Sequence, residues 1–323
     1  MQKILITGGA GFIGSNLVEA LLKDDRVGLV RVFDNLSTGN LANLHPYMDR
    51  NDFEFVKGDI RDYEACLKVC EGMDKISHQA ALGSVPRSVE DPLTTNAVNI
   101  TGTLNIFTAA KEQGIERVVF AASSSTYGDS PALPKVEENI GKPLSPYAIT
   151  KVVNEQYADV FARLYSFRYI GLRYFNIFGP KQDPNGSYAA VIPLFMKAAI
   201  TGKPPTINGD GSFSRDYTYV DNAVQANVLS LFTKEEKALN QVYNIACGER
   251  TTLNELWGYI REIIGCPLDA LYGPERAGDI PHSLADVSKA IQLLGYQPLV
   301  KVEDGLENSL KWYKGLFNDS LEK

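Results

Sequence analysis

The chain has 323 residues, of which 44% are hydrophobic and 22% are charged, and its formal net charge is −7. This composition is typical of a globular protein, and the length favours two lobes because single cores stop growing near ~250–300 residues. The negative charge argues against nonspecific binding to nucleic acid or to a membrane surface, since both need a basic protein surface. An anionic small molecule would have to be bound by local donors.

The cysteines and histidines give no sign of a metal site. The four cysteines form no Cys-x-x-Cys pair, and the three histidines are scattered along the chain. The first apolar run is too short for a signal peptide, and no run of about 18 apolar residues occurs. We therefore expect a reduced, cytoplasmic, metal-free protein without a membrane span.

Short apolar runs alternate with helical patterns in the first half of the chain. The expected strands cover residues 4–7, 29–34, 53–57, 75–79 and 117–122, and the expected helices cover residues 13–23, 63–71 and 95–113. The strands are apolar on both faces, which is typical of a parallel sheet with helices on both sides. The pattern predicts a doubly wound α/β (Rossmann) fold.

Beyond about residue 175 the pattern becomes irregular. Loops rich in Gly and Pro, at residues 179–186, 202–211 and 273–281, separate shorter helices. We predict a first domain over residues 1–176 and a smaller, loop-rich lobe over residues 177–323, with segments near 220–246 returning to the first domain. Helices near residues 95–113 and 147–164 are apolar on more than one face, which favours a helical contact between two copies of the chain.

A glycine-rich segment joins the first strand to the first helix. Gly8, Gly11 and Gly14 have the spacing G-x-x-G-x-x-G, and Gly9 with the last two gives G-x-G-x-x-G. Such glycines allow a tight turn and bring the backbone and a helix N-terminus close to a pyrophosphate. An ordinary glycine turn is the alternative, but strand, glycines and helix occur in the required order. The segment therefore predicts a dinucleotide site.

Asp34 ends the second strand, 20 residues after Gly14. A carboxylate there can accept both ribose hydroxyls and repel a 2′-phosphate. Because no Lys or Arg occurs in residues 35–39, NAD is favoured over NADP. Asp59, after the third strand, either binds the adenine amino group or faces solvent. Further residues expected at this cofactor site are Phe12, Ile13, Asn35, Ser37, Thr38, Gly39 and Ile60.

Tyr147 and Lys151 lie four residues apart on a predicted helix, so both side chains share one face. An ammonium next to a phenol lowers the pKa of the tyrosine, which can then act as a general base near neutral pH. A chance pair is the alternative in a chain with 16 tyrosines. Ser123, where the fifth strand ends, could share a proton with Tyr147. Small hydroxyl residues also end strands for local reasons.

Together these motifs resemble the extended short-chain dehydrogenase/reductase family over essentially the whole chain. The resemblance is closest to UDP-N-acetylglucosamine 4-epimerases of bacterial surface-polysaccharide pathways, and it rests further on residues 78–88, 121–128, 172–176 and 276–279. It implies a cytoplasmic enzyme with bound NAD that interconverts UDP-N-acetylglucosamine and UDP-N-acetylgalactosamine by transient oxidation at C4. It also implies an NAD-binding domain over residues 1–176, a nucleotide-sugar lobe over residues 177–323, and a homodimer through a four-helix bundle.

The resemblance implies residue roles that the spacing does not give. Beside the cofactor it places Gln79, Ala80, Ala81, Asn99, Tyr174 and Phe175. Beside the UDP-sugar it places Gly83, Ser84, Ser124, Ser125, Asn176, Ala190, Val191, Asn208, Arg215, Arg276, Asp279 and Ser283. The two arginines suit a diphosphate, which guanidinium groups bind bidentately, although surface arginines are the alternative.

Three of these serines bear on the reaction and the substrate. Ser124 and Ser125 stand where dehydratases of the family have an Asp–Glu pair, so dehydration is disfavoured. Ser283 stands where epimerases restricted to plain hexoses have a tyrosine, and it leaves room for an N-acetyl group. Its alternative role is a cap on the helix containing Asp286. Alternative functions are 4-epimerisation of a UDP-N-acetylhexosaminuronic acid or of UDP-glucose and UDP-galactose, and a non-catalytic NAD-sensing regulator.

Overall fold

The computed structural model describes residues 1–185, 189–275 and 280–321. Within these ranges a seven-stranded, all-parallel sheet has the order β11-β6-β5-β4-β1-β2-β3. Its strands are β1 (Gln2–Thr7), β2 (Val27–Asp34), β3 (Phe53–Lys57), β4 (Lys75–His78), β5 (Arg117–Ser123), β6 (Tyr169–Tyr174) and β11 (Gln241–Ile245). The predicted doubly wound α/β fold is confirmed.

Helices cover both faces of this sheet. The described helices are α1 (Phe12–Leu21), α2 (Tyr63–Cys70), α3 (Val85–Glu90), α4 (Pro92–Asn96), α5 (Thr103–Glu112), α6 (Pro146–Tyr165), α7 (Val191–Ile200), α8 (Val220–Phe232), α9 (Leu253–Ile264), α10 (Ser288–Leu294) and α11 (Val302–Leu321). Ile4 and Ile6 pack in the cluster that includes α1 and α8, whereas Leu5 packs in the cluster with α2, α5 and α6. Strands buried on both faces explain the continuous apolar runs in the sequence.

One predicted helix is interrupted. The pattern over residues 95–113 forms α4, a π-helical turn at Ala97–Gly102 and then α5. Gly102 lies against Ile60, because a Cβ there would approach Ile60 Cδ1 to 2.6 Å. Asn99 in the same turn binds the backbone of Leu82. A π-helical turn contains an additional residue, and hydrophobic periodicity over residues 95–113 does not specify where that residue is inserted.

Residues after 175 contribute both to the sheet and to a separate layer. β11 pairs with β6, and α8 packs on the sheet. Six short strands pair outside the sheet: β7 (Ile177–Phe178) with β10 (Thr218–Tyr219), β8 (Thr206–Asn208) with β13 (Leu271–Gly273), and β9 (Ser214–Arg215) with β12 (Thr251–Thr252). α7, α9 and α11 pack together, with Phe195 against Trp257. This layer lies beside the carboxyl ends of the strands.

Two buried cations hold the C-terminal end of α8 on the sheet. Lys75 Nζ donates to Leu231 O at 3.0 Å. Arg117 Nη1 donates to the carbonyls of Ser230, Leu231 and Thr233. Cations favour helix C-termini because the last carbonyls there lack helical partners. α8 is thereby fixed over β4 and β5.

The described residues contain neither a membrane-spanning helix nor a cluster of metal ligands. No helix there has the length and apolar character needed to cross a bilayer. No group of three His, Cys, Asp or Glu side chains in these ranges could hold a metal ion. The four cysteines are buried and unpaired with one another.

Candidate active site

A cavity of about 570 Å³ opens at the carboxyl edge of the sheet. The strand order reverses between β4 and β1, and in doubly wound folds ligands bind at such a reversal. The cavity brings together most of the residues that the sequence singled out. They are Gly8, Gly11, Phe12, Ile13, Gly14, Asp34, Asn35, Ser37, Thr38, Gly39, Asp59, Ile60, Gln79, Ala80, Ala81, Gly83, Ser123, Ser124, Ser125, Tyr147, Lys151, Tyr174 and Asn176.

The glycine-rich turn is shaped by close backbone contacts. Gly8 has a φ of +71°, and a Cβ on it would lie 2.6 Å from Ala80 N. A Cβ on Gly14 would lie 2.2 Å from Gly8 O. The first turn of α1 has no side-chain cap at Gly11, so its N–H groups suit an anion such as a pyrophosphate.

Asp34 is held as an acceptor in the cavity wall. Its Oδ2 accepts the N–H of Ala10 at 3.0 Å, and its Oδ1 accepts the N–H of Leu36 at 2.8 Å. Burial raises the pKa of this carboxyl, while the two N–H bonds act in the opposite direction. Each oxygen keeps a second lone pair, so the group suits a ribose diol. The glycine turn and Asp34 together fit NAD.

Asp59 lines the cavity with both oxygens engaged by neighbours. Arg61 donates to it through Nε at 3.0 Å and through Nη2 at 2.7 Å, and Asn35 Nδ2 donates at 2.9 Å. The Arg61 guanidinium holds the pKa of Asp59 well below its usual range. Neither sequence alternative described this pair. The prediction about cations concerned residues 35–39 after β2, whereas Arg61 lies after β3.

Tyr147, Ser123 and Lys151 meet at one end of the cavity. Ser145 caps α6 by accepting the N–H of Ala148 at 3.1 Å, and Tyr147 lies in the first turn. Ser123 ends β5 and lines the same cavity as Tyr147. Lys151 Nζ lies 5.8 Å from the centroid of the Tyr147 ring. The three side chains therefore surround one point at the cavity wall.

The pKa of Tyr147 moves against the sequence-based expectation. Burial raises it, and the nearby Ser123 hydroxyl acts in the opposite direction. Lys151 donates to Ala121 O at 2.7 Å rather than to the phenol, which explains why its ammonium does not dominate. Burial lowers the pKa of Lys151 to about 8, and the charge of Glu155 opposes this. The predicted lowering of the Tyr147 pKa by Lys151 is therefore wrong for this geometry.

A closed hydrogen-bond ring lies below the cavity and was not expected from the sequence. Gln79 Nε2 donates to Asn227 Oδ1 at 2.9 Å, and Asn227 Nδ2 donates to the Tyr174 hydroxyl at 2.7 Å. That hydroxyl donates to Gln79 Oε1 at 3.1 Å. Asn227 is buried on α8, far along the chain from Gln79. A polar side chain at a buried position of α8 is the sequence feature that could have indicated this ring.

Three predicted site residues lie behind the cavity wall. Asn99 is fully buried, and its amide binds both N–H and C=O of Leu82, so it positions that loop. Phe175 is buried against Tyr127. Ser84 caps α3 by accepting the N–H of Arg87. None of the three lines the cavity.

The predicted substrate residues of the second lobe that the structure describes do not line the cavity. Ala190 and Val191 begin α7, and Asn208 ends β8. Arg215 Nη1 donates to Ser214 O and Pro281 O, and the N–H of Ser283 also donates to Ser214 O. Arg276 and Asp279 lie outside the described residues.

A dinucleotide cradle and a Tyr–Ser pair that can accept a proton share one cavity, which is the arrangement of an NAD-dependent oxidoreduction enzyme. The chain belongs to the NAD dependent epimerase/dehydratase family, whose sequence model matches residues 4–246.

Several known proteins are similar to it over nearly their whole length. The UDP-glucose 4-epimerase of Mycolicibacterium smegmatis is 38% identical over 97% of this chain and 99% of its own. The solved UDP-N-acetylglucosamine 4-epimerase of Methanobrevibacter ruminantium, in complex with UDP-N-acetylmuramic acid, is 40% identical with a TM-score of 0.91, and covers 98% of this chain and 99% of its own. The Thermus thermophilus UDP-glucose 4-epimerase in complex with NAD is 35% identical with a TM-score of 0.86, over 97% and 99%.

These findings confirm four predictions from the sequence. They are the family, the α/β fold, NAD as the cofactor, and an epimerase as the type of enzyme.

Proposed function

We propose that the protein is a nucleotide-sugar 4-epimerase that interconverts UDP-N-acetylglucosamine and UDP-N-acetylgalactosamine with retained NAD. The observation that carries this is that Tyr147, Ser123 and Lys151 line the same cavity as Asp34 and the glycine turn. Ser124 and Ser125 line that cavity with hydroxyls, where removal of water would need an acid and a base.

The proposed reaction needs a hydride acceptor and a proton acceptor side by side. NAD bound along the glycine turn supplies a reversible hydride acceptor. Tyr147 accepts the proton of the sugar 4-hydroxyl, and the Ser123 hydroxyl steadies this proton transfer. Lys151 places a cation near the phenol, where it stabilises negative charge. Return of both the hydride and the proton to the sugar would give the opposite epimer, so no reagent is consumed.

A 4-epimerase has to present both faces of the sugar at C4. A firm grip on UDP and a loose grip on the sugar would allow this, since binding energy at a remote group positions the reacting centre. We propose that UDP is held by Asn176, Ala190, Val191, Asn208, Arg215, Arg276 and Asp279. We propose that the sugar meets Gly83, Ser84, Ser124, Ser125 and Ser283.

The position of Ser283 supports an N-acetylated substrate. α10 begins at Ser288, and Asp286 precedes it, so Ser283 is not its cap. Its backbone instead pairs with Ser214, next to Arg215. The similarity to the UDP-N-acetylglucosamine 4-epimerase of Methanobrevibacter ruminantium points the same way. Plain UDP-glucose is the rival substrate, because other relatives are UDP-glucose 4-epimerases.

A homodimer completes the proposal. Because α3 and α4 both pack on α6, these three helices together present a set of exposed apolar side chains. They are Val85, Val89 and Leu93 on α3 and α4, and Ile149, Tyr157, Val160, Leu164 and Tyr165 on α6. No large apolar side chain of residues 95–113 is exposed. The bundle would therefore use α3, α4 and α6, with α5 behind them.

The test is incubation of the purified protein, without added cofactor, with UDP-sugars that differ at C2 and C6. Products are separated by chromatography and identified by NMR, and the nucleotide released on denaturation is identified. We expect interconversion of the two UDP-N-acetylhexosamines and release of NAD. A requirement for stoichiometric NADPH, or an absence of C4 inversion on every UDP-sugar, would contradict the proposal.

A further inference from the structure

A buried ion pair lies next to the proposed catalytic residues. Arg173 on β6 donates through Nε to Glu155 Oε1 at 2.9 Å and through Nη2 to Glu155 Oε2 at 2.7 Å. The Arg173 side chain is 4% exposed and that of Glu155 is 11% exposed. A bidentate guanidinium–carboxylate contact restrains distance and orientation together. The pair therefore fixes α6 relative to β6.

Glu155 lies on the helix face that carries the proposed base. Tyr147, Lys151 and Glu155 follow one another at intervals of four residues on α6. Lys151 is bound to Ala121 O on β5, and Glu155 is bound to the neighbouring strand β6. Two polar contacts one turn apart, made to two adjacent strands, restrain the rotation of α6 about its axis. That rotation sets the direction of the Tyr147 side chain.

Arg173 also contacts the turn that follows Ser123. Its guanidinium lies 4.9 Å from the ring centroid of Tyr127, which ends the 3₁₀ turn Ser124–Tyr127. The Tyr127 hydroxyl donates to Asn244 Oδ1 at 2.6 Å, which anchors the ring. One guanidinium thus contacts both the helix with Tyr147 and the turn after Ser123.

We propose that Glu155 and Arg173 are positioning residues whose pair sets the placement of the Tyr147 hydroxyl relative to the Ser123 hydroxyl. This inference rests on the proposed roles of those two hydroxyls. Neither member of the pair lines the cavity, so both act through the elements that they hold. A purely structural pair would affect stability alone, whereas a positioning pair affects kcat in protein that remains folded.

Glu155 has an additional electrostatic effect on Lys151. The titratable and charged groups near the Lys151 ammonium are Tyr147 and Glu155 on α6, His78 on β4, and Arg173 beyond Glu155. Burial lowers the pKa of His78 to about 3, so the imidazole is neutral at pH 7. The Glu155 carboxylate is the group that raises the pKa of Lys151 against burial. Removal of its charge should lower the pKa of Lys151 further.

Two variants separate positioning from stability. Arg173→Lys keeps both charges but loses the bidentate geometry. Glu155→Leu combined with Arg173→Met replaces the pair with apolar side chains, a change that folded proteins often tolerate. We expect kcat to fall by about ten- to hundred-fold in both, as for small misplacements of reacting groups. The KM and the retained NAD should stay nearly unchanged. Asp159→Asn, which breaks the exposed pair with Arg163 on the same helix, is the matched control and should leave kcat unchanged.

The charge effect is measured separately with Glu155→Gln. Lysine labelled with ¹³C at Cε reports the pKa of Lys151 by NMR, with Lys151→Met to assign the signal. We expect the titration, and the alkaline limb of the kcat profile, to move to lower pH in Glu155→Gln and to stay in place in Asp159→Asn.

A folded double variant with wild-type kcat would overturn the positioning role. If the double variant does not fold, wild-type kcat in Arg173→Lys would overturn it equally. An unchanged Lys151 titration in Glu155→Gln would contradict the proposed electrostatic effect of Glu155 on Lys151. Tyr147→Phe is measured in parallel: full activity there overturns the proposed function itself, whereas an inactive Tyr147→Phe beside fully active pair variants overturns only the role of the pair.

Discussion

The Nζ atom of Lys151 lies 5.8 Å from the centroid of the Tyr147 ring, and it donates its described hydrogen bond to Ala121 O at 2.7 Å. The ammonium therefore acts on the phenol through space rather than through a direct bond. The Ser123 hydroxyl opposes the effect of burial on the pKa of Tyr147. In the proposed mechanism the serine steadies the proton transfer and the lysine stabilises negative charge on the phenol.

Replacement of Tyr147 by Phe removes the proton acceptor and little else. We expect turnover to fall by about 10²–10⁴-fold, because that is the usual contribution of a general base. The melting temperature and the NAD retained through purification should change little. Tyr157→Phe on the exposed side of the same helix is the control and should be fully active. Near-normal turnover in Tyr147→Phe would remove this residue from the mechanism.

His78 should make the protein less stable in acid. Burial lowers the pKa of this imidazole from 6.5 to about 3, and both ring nitrogens contact threonine hydroxyls, of Thr7 and Thr103. Between pH 6.5 and about pH 3, the unfolded chain binds a proton at His78, whereas the folded chain does not. The free energy of unfolding therefore falls as the pH falls from 6.5 towards 3.

Denaturant unfolding of wild type and of His78→Gln between pH 7 and pH 4 measures this effect. Glutamine keeps a donor and an acceptor but does not titrate, so the fall in stability should be smaller in the variant. His45 is exposed, and His45→Gln should follow the wild type at every pH. Equal slopes for His78→Gln and the wild type would show that His78 does not cause the acid sensitivity.

Local patterns predicted the elements of the parallel sheet, because strands buried on both faces leave continuous apolar runs. They also predicted the glycine turn and Asp34, since both follow strands at a fixed spacing. Contacts between distant segments left no such pattern. Asn227 reaches Gln79 across 148 residues. Gly102, in the π-helical turn Ala97–Gly102, likewise lies against Ile60 from a distant part of the chain.

Asp34 should decide between NAD and NADP. Its two oxygens are oriented by the N–H groups of Ala10 and Leu36, so they form a fixed acceptor pair. We expect Asp34→Ala to weaken the binding of NAD by about 1–3 kcal/mol, which is the usual cost of leaving polar groups unpaired. The binding of NADP should weaken less, because the substitution also removes the repulsion between the Asp34 carboxylate and the 2′-phosphate. Calorimetric titration of both nucleotides measures the change in preference, and Asp52→Ala on the surface is the control. An unchanged NAD/NADP ratio would contradict this role.

The apolar face of α3, α4 and α6 should hold two copies together. Leu93 is 82% exposed and Leu164 is 66% exposed in the single chain, and such a large apolar face rarely stays in water. We expect a dimer by light scattering at micromolar protein, and a monomer for Leu93→Glu combined with Leu164→Glu. Leu299→Glu changes an equally exposed leucine outside this face and should leave the dimer intact. A monomeric wild-type protein would contradict the interface.

Ser283 should determine how well the enzyme accepts an N-acetyl group. Its backbone N–H is fixed by Ser214 O at 3.1 Å, next to Arg215, and α10 begins five residues later. Ser283 is therefore not the N-cap of α10, and contact with the sugar is the role that we predict for it. A tyrosine at this position would overpack the space beside the sugar C2, at a cost of about 1–3 kcal/mol for the N-acetylated substrate.

We therefore expect Ser283→Tyr to lower kcat/KM for UDP-N-acetylglucosamine by about ten-fold or more, and to change kcat/KM for UDP-glucose much less. Ser283→Ala is the matched control, because it removes the hydroxyl without filling the space, and it should keep the wild-type preference. Parallel kinetics on both substrates give the ratio directly. If Ser283→Tyr lowers both values equally, then the tyrosine acts on the fold of the segment and not on the C2 pocket, and the choice of an N-acetylated substrate loses its main support.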